Sequence, residues 1–208
     1  MEQPPPRSEL GPARLLALAD GIFAIAMTLL VFELKVPVVN LAAGESLLSA
    51  LQALWPKFGA CALGFITLGF SWIGHHNQYV AIVRTNRSFL WINIGFLASI
   101  AFMPFSCALL GSYPFERTAI VTYGLNFTVA GLLLLAHWEY ATSQGRLVRE
   151  GTSHDLIVAT RRRVALAPAA FLIGTGLCVL SPIASLVVFA AVPIYFIIPG
   201  RVDRHWGI

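Results

Sequence analysis

The sequence predicts an all-α integral membrane protein with six transmembrane helices in each subunit. Three observations carry that expectation. Of 208 residues, 57% are hydrophobic and only 12% are charged, whereas a soluble domain has about a quarter of its residues charged. Six apolar stretches approach the roughly 20 residues that cross a bilayer. The basic residues also fall on alternate sides of those stretches.

The first span is expected from about Ala13 to Leu34, ending before Pro37. The second runs from about Ala53 to His75, and the third from about Phe89 to Leu110 with Pro104 inside it. The fourth runs from about Ala119 to Tyr140. The fifth, Val164 to Leu180, and the sixth, Ile183 to Ile198, are short and meet at Ser181-Pro182, which suits a tight helical hairpin. The outer loop after the first span holds a short surface segment, Ser46 to Leu51. The polar stretch Thr142 to Thr160 is expected as a loop or an interfacial extension. With no internal repeat, residues 1–208 are expected to form a single six-helix transmembrane domain with a short N-terminal tail, 1–12. That tail lacks the basic start and cleavage site of a signal peptide, so the first span is expected to be retained.

Eleven basic residues lie on one side of the spans: Arg7, Arg14, Arg84, Arg87, Arg146, Arg149, Arg161, Arg162, Arg163, Arg201 and Arg204. Three, Lys35, Lys57 and Arg117, lie on the other. The positive-inside rule then puts both termini in the cytoplasm of a multi-pass cell-membrane protein. The triplet Arg161-Arg162-Arg163 is too short for a nucleic-acid surface and reads as a membrane-flanking cluster. Cys61, Cys107 and Cys178 have neither disulfide nor metal-knuckle spacing, and read as small apolar residues. His75-His76 lacks a carboxylate at helical spacing, so no metal site is expected. His137-Trp138-Glu139 reads as a helix-end anchor. No cofactor and no enzymatic chemistry is expected.

The first span carries the chemistry. At about 100° per residue, Leu18, Ile22, Ile25, Leu29, Phe32 and Val36 share a stripe less than about 90° wide. Thr28 lies at its edge, and Glu33 joins it at the outer end. Asp20 lies roughly opposite. The pattern alone fits a lipid-facing or helix-packing surface as well as a pore wall. Thr28 could bond its own backbone, and Glu33 could be an interfacial acid. Asp20 is the costly group, because an acid within a span needs a partner. Arg14, Asp20, Trp72, His75 and Asn93 all fall in the cytoplasmic half, where an indole, imidazole or amide N–H could serve Asp20. A static packing bond and a pH-sensitive network are both open at this level.

Arg14-x-x-x-Leu18-Ala19-Asp20 and the residues through Pro37 resemble the first helix of prokaryotic transmembrane-protein-175 potassium channels. That family's signature is Arg-x-x-x-Phe-Ser-Asp; here Leu18 and Ala19 replace the Phe and Ser. Trp72-x-x-His75-x-x-x-Tyr79 resembles its second helix, and Leu90-Trp91-Ile92-Asn93 with Pro104-Phe105 its third. The resemblance implies a homotetramer around a central pore lined by the first helix, with no re-entrant filter loop and no Thr-Val-Gly-Tyr-Gly sequence. It implies passive, leak-type K⁺ conduction. Ile25, Leu29 and Phe32 would form the constriction, Thr28 a hydroxyl layer, and Glu33 a cation-attracting outer mouth. Arg14, Asp20, Trp72, His75 and Asn93 would form a structural or gating network. Potassium ions, membrane lipid and three further copies of the chain are the implied partners. A secondary transporter or proton-coupled carrier is the alternative.

Overall fold

The computed structural model describes residues 12–198. Arg7, Arg201, Arg204 and all of the expected tail except Pro12 lie outside them. Seven α-helices are found among the described residues: α1 (Ala13–Phe32), α2 (Leu47–Ala53), α3 (Trp55–Ala81), α4 (Arg87–Ser112), α5 (Arg117–Thr142), α6 (His154–Leu177) and α7 (Pro182–Ile197). Four segments are long and apolar enough to cross a membrane: α1, α3, α4, and α5 with the one-turn 3-10 helix that follows it. The six stretches expected from the sequence thus divide into four that meet this measure and two, α6 and α7, that do not. The helix α6 carries the arginine triplet, and α7 has only 16 residues.

Local chemistry sets the helix ends. The chain leaves α1 at Phe32, and the Leu34 N–H closes a tight turn on the Val31 carbonyl at 3.0 Å. The helix is therefore shorter than expected, and Glu33, Leu34 and Val36 lie beyond it. The surface segment becomes α2, whose first turn is capped by Ser46 Oγ accepting from the Ser49 N–H at 3.4 Å. Asn86 caps α4 by accepting the Phe89 N–H at 3.0 Å, and Ser181 caps α7 by accepting the Ala184 N–H at 3.3 Å. Such caps satisfy donors that the helix itself cannot.

Two helices run further than hydropathy suggests. The helix α3 continues six residues past His75, because Asn77, Gln78 and Tyr79 turn inward and are buried. The helix α6 begins at His154 rather than near Val164, with Ser153 as its cap. Its added turns cover Trp138, whose indole N–H donates to the Ile157 carbonyl at 3.2 Å. Trp138 is consequently buried, which corrects its reading as an interfacial anchor.

The core follows α5, which packs on α4 and α6 most extensively, with α1 laid against α3 and α4. Phe23, Leu68, Phe96, Tyr123, Phe127 and Phe171 belong to the large apolar cluster, and Leu15, Tyr79, Ile82, Phe89 and Trp138 to a second one at the arginine-rich end. There the connector between α5 and α6 is pinned to the end of α3: Arg149 N–H donates to the Ala81 carbonyl at 2.9 Å, and Val83 N–H to Leu147 at 3.0 Å. The close approach of α5 to α6 requires glycine. A Cβ at Gly124 would lie 2.0 Å from Thr175 Oγ1, and one at Gly131 would lie 2.8 Å from Pro168 Cδ.

Candidate functional site: the first helix and its anchors

Two faces of α1 have opposite fates. Leu15, Ala19, Phe23, Ala26 and Leu30 recur at spacings of three and four and are buried against α3 and α4. Phe23 and Leu30 each keep 2% of their surface. The column Ile25, Leu29 and Phe32 stays 60%, 43% and 76% exposed. Leu18 is exposed with them, Ile22 is partly buried, and Val36 lies past the helix end. The small Ala19 of the motif sits fully buried at the helix contact.

Thr28 is exposed on the side of α1 facing away from the buried stripe, and its hydroxyl donates to the Ile25 carbonyl at 2.8 Å. The proton is thus committed to the helix backbone, while oxygen lone pairs remain outward. Glu33 is exposed and shares a small cleft with Lys57, Cys61 and Cys107 at the end of the bundle away from the arginines.

The five residues Arg14, Asp20, Trp72, His75 and Asn93 resolve into two pairs and one separate cation. Asp20 accepts the Trp72 indole N–H at 2.8 Å, at an exposed edge between α1 and α3. His75 Nε2 lies 2.9 Å from Asn93 Oδ1, and both residues are buried between α3 and α4. The His75 ring stacks on Phe96 with centroids 5.3 Å apart, and Phe23 packs on both rings. Arg14 is exposed in the first turn of α1 and makes no hydrogen bond or ion pair with another described residue. His76 is exposed, and its ring stacks on Trp72. Among the described residues, no group of three or more His, Cys, Asp or Glu side chains could hold a metal ion.

The TMEM175 family model, described as "Endosomal/lysosomal potassium channel TMEM175", matches residues 14–104, which span α1 and most of α4. A relative from Chamaesiphon minutus, named "Potassium channel Cha6605_3372", is 32% identical over 199 residues, covering 94% of this chain and 97% of its own. The chain belongs to the TMEM175 family. A second relative, "Potassium channel B446_29190" of Streptomyces collinus, is 30% identical and covers 88% of this chain and 90% of its own. A solved structure, described as a lysosomal potassium-selective channel TMEM175 homolog from Chamaesiphon minutus, matches with a TM-score of 0.79 at 30% identity, covering 88% of this chain and 95% of that one. This TMEM175-family chain is accordingly a membrane protein.

One part of the arrangement escaped sequence reasoning. His137 of α5 is fully buried, with Nδ1 2.7 Å from Gln78 Oε1 and Nε2 3.1 Å from the Tyr79 hydroxyl. Gln78 completes its amide by donating to the Leu134 carbonyl at 3.2 Å. The His137 and His75 rings lie 5.5 Å apart, so α3, α4 and α5 share one polar layer at the arginine-rich end. Its signal was the polar run His75 to Tyr79, too rich in hydrogen-bonding groups for a helix that had already ended.

Proposed function

We propose that this chain is a potassium-selective leak channel, assembled as a homotetramer whose α1 helices line a central pore. The uncovered column Ile25, Leu29 and Phe32 carries this reading, because the opposite face of the same helix is closely packed. The names of the relatives support potassium as the permeant ion, and no cofactor enters the scheme. A single subunit supplies one such helix, which cannot enclose a path, so an oligomer is required. Each subunit contributes one six-helix unit, in which α6 from Val164 onward and α7 join the four longer spans. The arginine-rich end faces the cytoplasm of the cell.

Conduction then follows from radius and hydration. Apolar rings of Ile25, Leu29 and Phe32 empty of water when narrow and pass ions when slightly wider. K⁺ loses its water at lower cost than Na⁺, which favours it at such a constriction. The Thr28 oxygens, whose protons point into the backbone, are acceptors suited to a partly dehydrated cation. Glu33, repeated around the outer mouth, raises the local cation concentration. The Asp20–Trp72 and His75–Asn93 pairs hold α1 at the radius its column sets.

A carrier is the weaker reading. Carriers of that kind use broken helices at mid-membrane. Here α4, α6 and α7 run through Pro104, Pro168 and Pro193 without interruption. The test is K⁺ and Na⁺ flux from purified protein in liposomes, with Ile25→Asn and Leu29→Asn beside the parent. Each variant should raise conductance and lower selectivity by wetting the constriction. Unchanged flux and selectivity in both would remove α1 from the ion path.

A further inference from the structure

Ser71, Gly74 and Asn77 recur three residues apart on α3, and Thr160, Val164, Ala167 and Phe171 recur at four and three on α6. Each set therefore shares one helix face. The two faces border a cavity of about 80 Å³, closed by residues of α4, α5 and α7 such as Phe127 and Phe196. The helices α3 and α6 make little direct contact, so the cavity stands between them. Most of its wall is apolar, but two wall residues are polar and more than nine-tenths buried: Asn77 at 7% exposure and Thr160 at 4%. Asn77 Oδ1 and Thr160 Oγ1 have no hydrogen-bond partner among the described residues. Buried polar atoms are rarely left unpaired, since each such atom forfeits the hydration it would have in water. Ser71, also buried in the wall, donates to the Thr67 carbonyl at 2.7 Å, which leaves its oxygen free to accept. Arg163 borders the cavity too, but its guanidinium is engaged over the Phe196 ring, 5.5 Å from the centre.

Volume and chemistry together select the occupant. A wholly apolar cavity of about 150 Å³ stays dry and takes a small hydrocarbon. This one is smaller and carries unpaired polar atoms from two helices. A water molecule occupies about 30 Å³ in the liquid, so a cavity of about 80 Å³ has room for two or three. We propose that this cavity is a hydration site, in which two or three ordered waters bridge Asn77 to Thr160 and so join α3 to α6. One water donates to Asn77 Oδ1, and another accepts from the Thr160 hydroxyl. The Ser71 oxygen and the waters themselves supply the remaining partners, within the roughly two to four that a buried water takes. A bridging water is enthalpically nearly as good as a direct hydrogen bond. The bridge thus replaces the helix contact that α3 and α6 lack. It braces α3, which carries Trp72 and His75, on the helix that bears the arginine triplet.

The test is X-ray hydroxyl-radical footprinting of the intact purified protein, read residue by residue by mass spectrometry. Radicals formed from a bound water oxidise the side chains beside it, even where bulk solvent does not reach. Phe171 lies in the cavity wall, Phe23 lies outside it, and both are buried. Phe171 should be labelled severalfold more than Phe23. T160V and N77L should each lower that labelling, and either suffices should the other fail to fold. A167L fills the cavity without removing a polar group and should bring Phe171 down to the level of Phe23. Unfolding midpoints give a second readout. T160V and N77L should each lower the midpoint, and the pair should lower it by less than the sum, because the bridge can be lost only once. Equal labelling of Phe171 and Phe23 in the parent would overturn the proposal and leave the cavity dry or filled by an apolar group. Undiminished labelling in both T160V and N77L would also overturn it, since bulk water entering the cavity needs neither side chain. Strictly additive midpoint losses would show that Asn77 and Thr160 are not joined.

Discussion

The Trp72 indole N–H donates to the Asp20 carboxylate at 2.8 Å, tying α3 to an edge of α1. At 100° per residue, Asp20 lies about 140° around α1 from Ile25. The bond therefore holds the helix from one edge while leaving the apolar column free. A hydrogen bond to a charged group is worth about 1.5–3 kcal/mol when shielded, and this one is exposed. Asp20→Asn and Trp72→Phe should each destabilise the subunit by about 1 kcal/mol. A double-mutant cycle on thermal unfolding in detergent should return a coupling near 0.5–1 kcal/mol. Additive losses would show that the contact carries no energy of its own.

The two faces of α1 give a sharper contrast. Phe23 is buried between His75 and Phe96, so Phe23→Ala opens a cavity and should cost about 3–5 kcal/mol. Ile25, two residues on, is 60% exposed in the subunit. Ile25→Ala should leave subunit folding within about 0.5 kcal/mol, the usual range for surface positions. It should nonetheless raise ion flux in liposomes through a wider constriction. Equal stability losses at both positions would place Ile25 in a packed interface rather than on a pore.

The polar layer at the arginine-rich end makes a third prediction. Tyr79→Phe removes one hydroxyl from His137, and His137→Leu strands Gln78 Oε1 as well. An orphaned buried acceptor costs about 1–3 kcal/mol. His137→Leu should therefore lower thermal stability more than Tyr79→Phe. Pairing it with Gln78→Leu should recover part of the loss, because the stranded Gln78 acceptor is then gone while the Tyr79 hydroxyl still lacks His137. Measured unfolding midpoints of the three single variants and the pair would settle the order.

The sequence made some of this legible and concealed the rest for physical reasons. Hydropathy located α1, α4 and α5 within a few residues, since long apolar runs have no alternative in a membrane protein. It ended α3 at His75, because a hydropathy scale assigns Asn77, Gln78 and Tyr79 to water. Gln78 and Tyr79 make their hydrogen bonds to α5, whose position a sequence does not give. The same blindness treated His137 and Trp138 as surface groups, although α6 starts early enough to cover Trp138, and side chains of α3 and α4 enclose His137. Helical spacing placed Asp20 away from Ile25, Leu29 and Phe32, and a spaced motif placed Trp72 on another helix. That Asp20 meets Trp72 while His75 meets Asn93 depended on the rotation of α3, which periodicity leaves free.

Glycine supplies the last prediction. A Cβ at Gly131 would meet three atoms of the Pro168 ring at 2.8, 3.0 and 3.1 Å. A pyrrolidine ring cannot swing aside as a flexible chain end would, so α6 itself must move. Overpacking of this kind costs about 1–3 kcal/mol, against the roughly 1 kcal/mol that alanine gains over glycine within a helix. Gly74 is the control: its Cβ would meet Leu134 Cδ2 at 3.6 Å, an ordinary contact. Gly74→Ala should therefore match or exceed the parent in thermal stability, and Gly131→Ala should fall below it. Gly131→Val should fall further, because its added methyl groups press on the same ring. Equal stability of the two alanine variants would mean that α5 and α6 are held apart by something other than this contact.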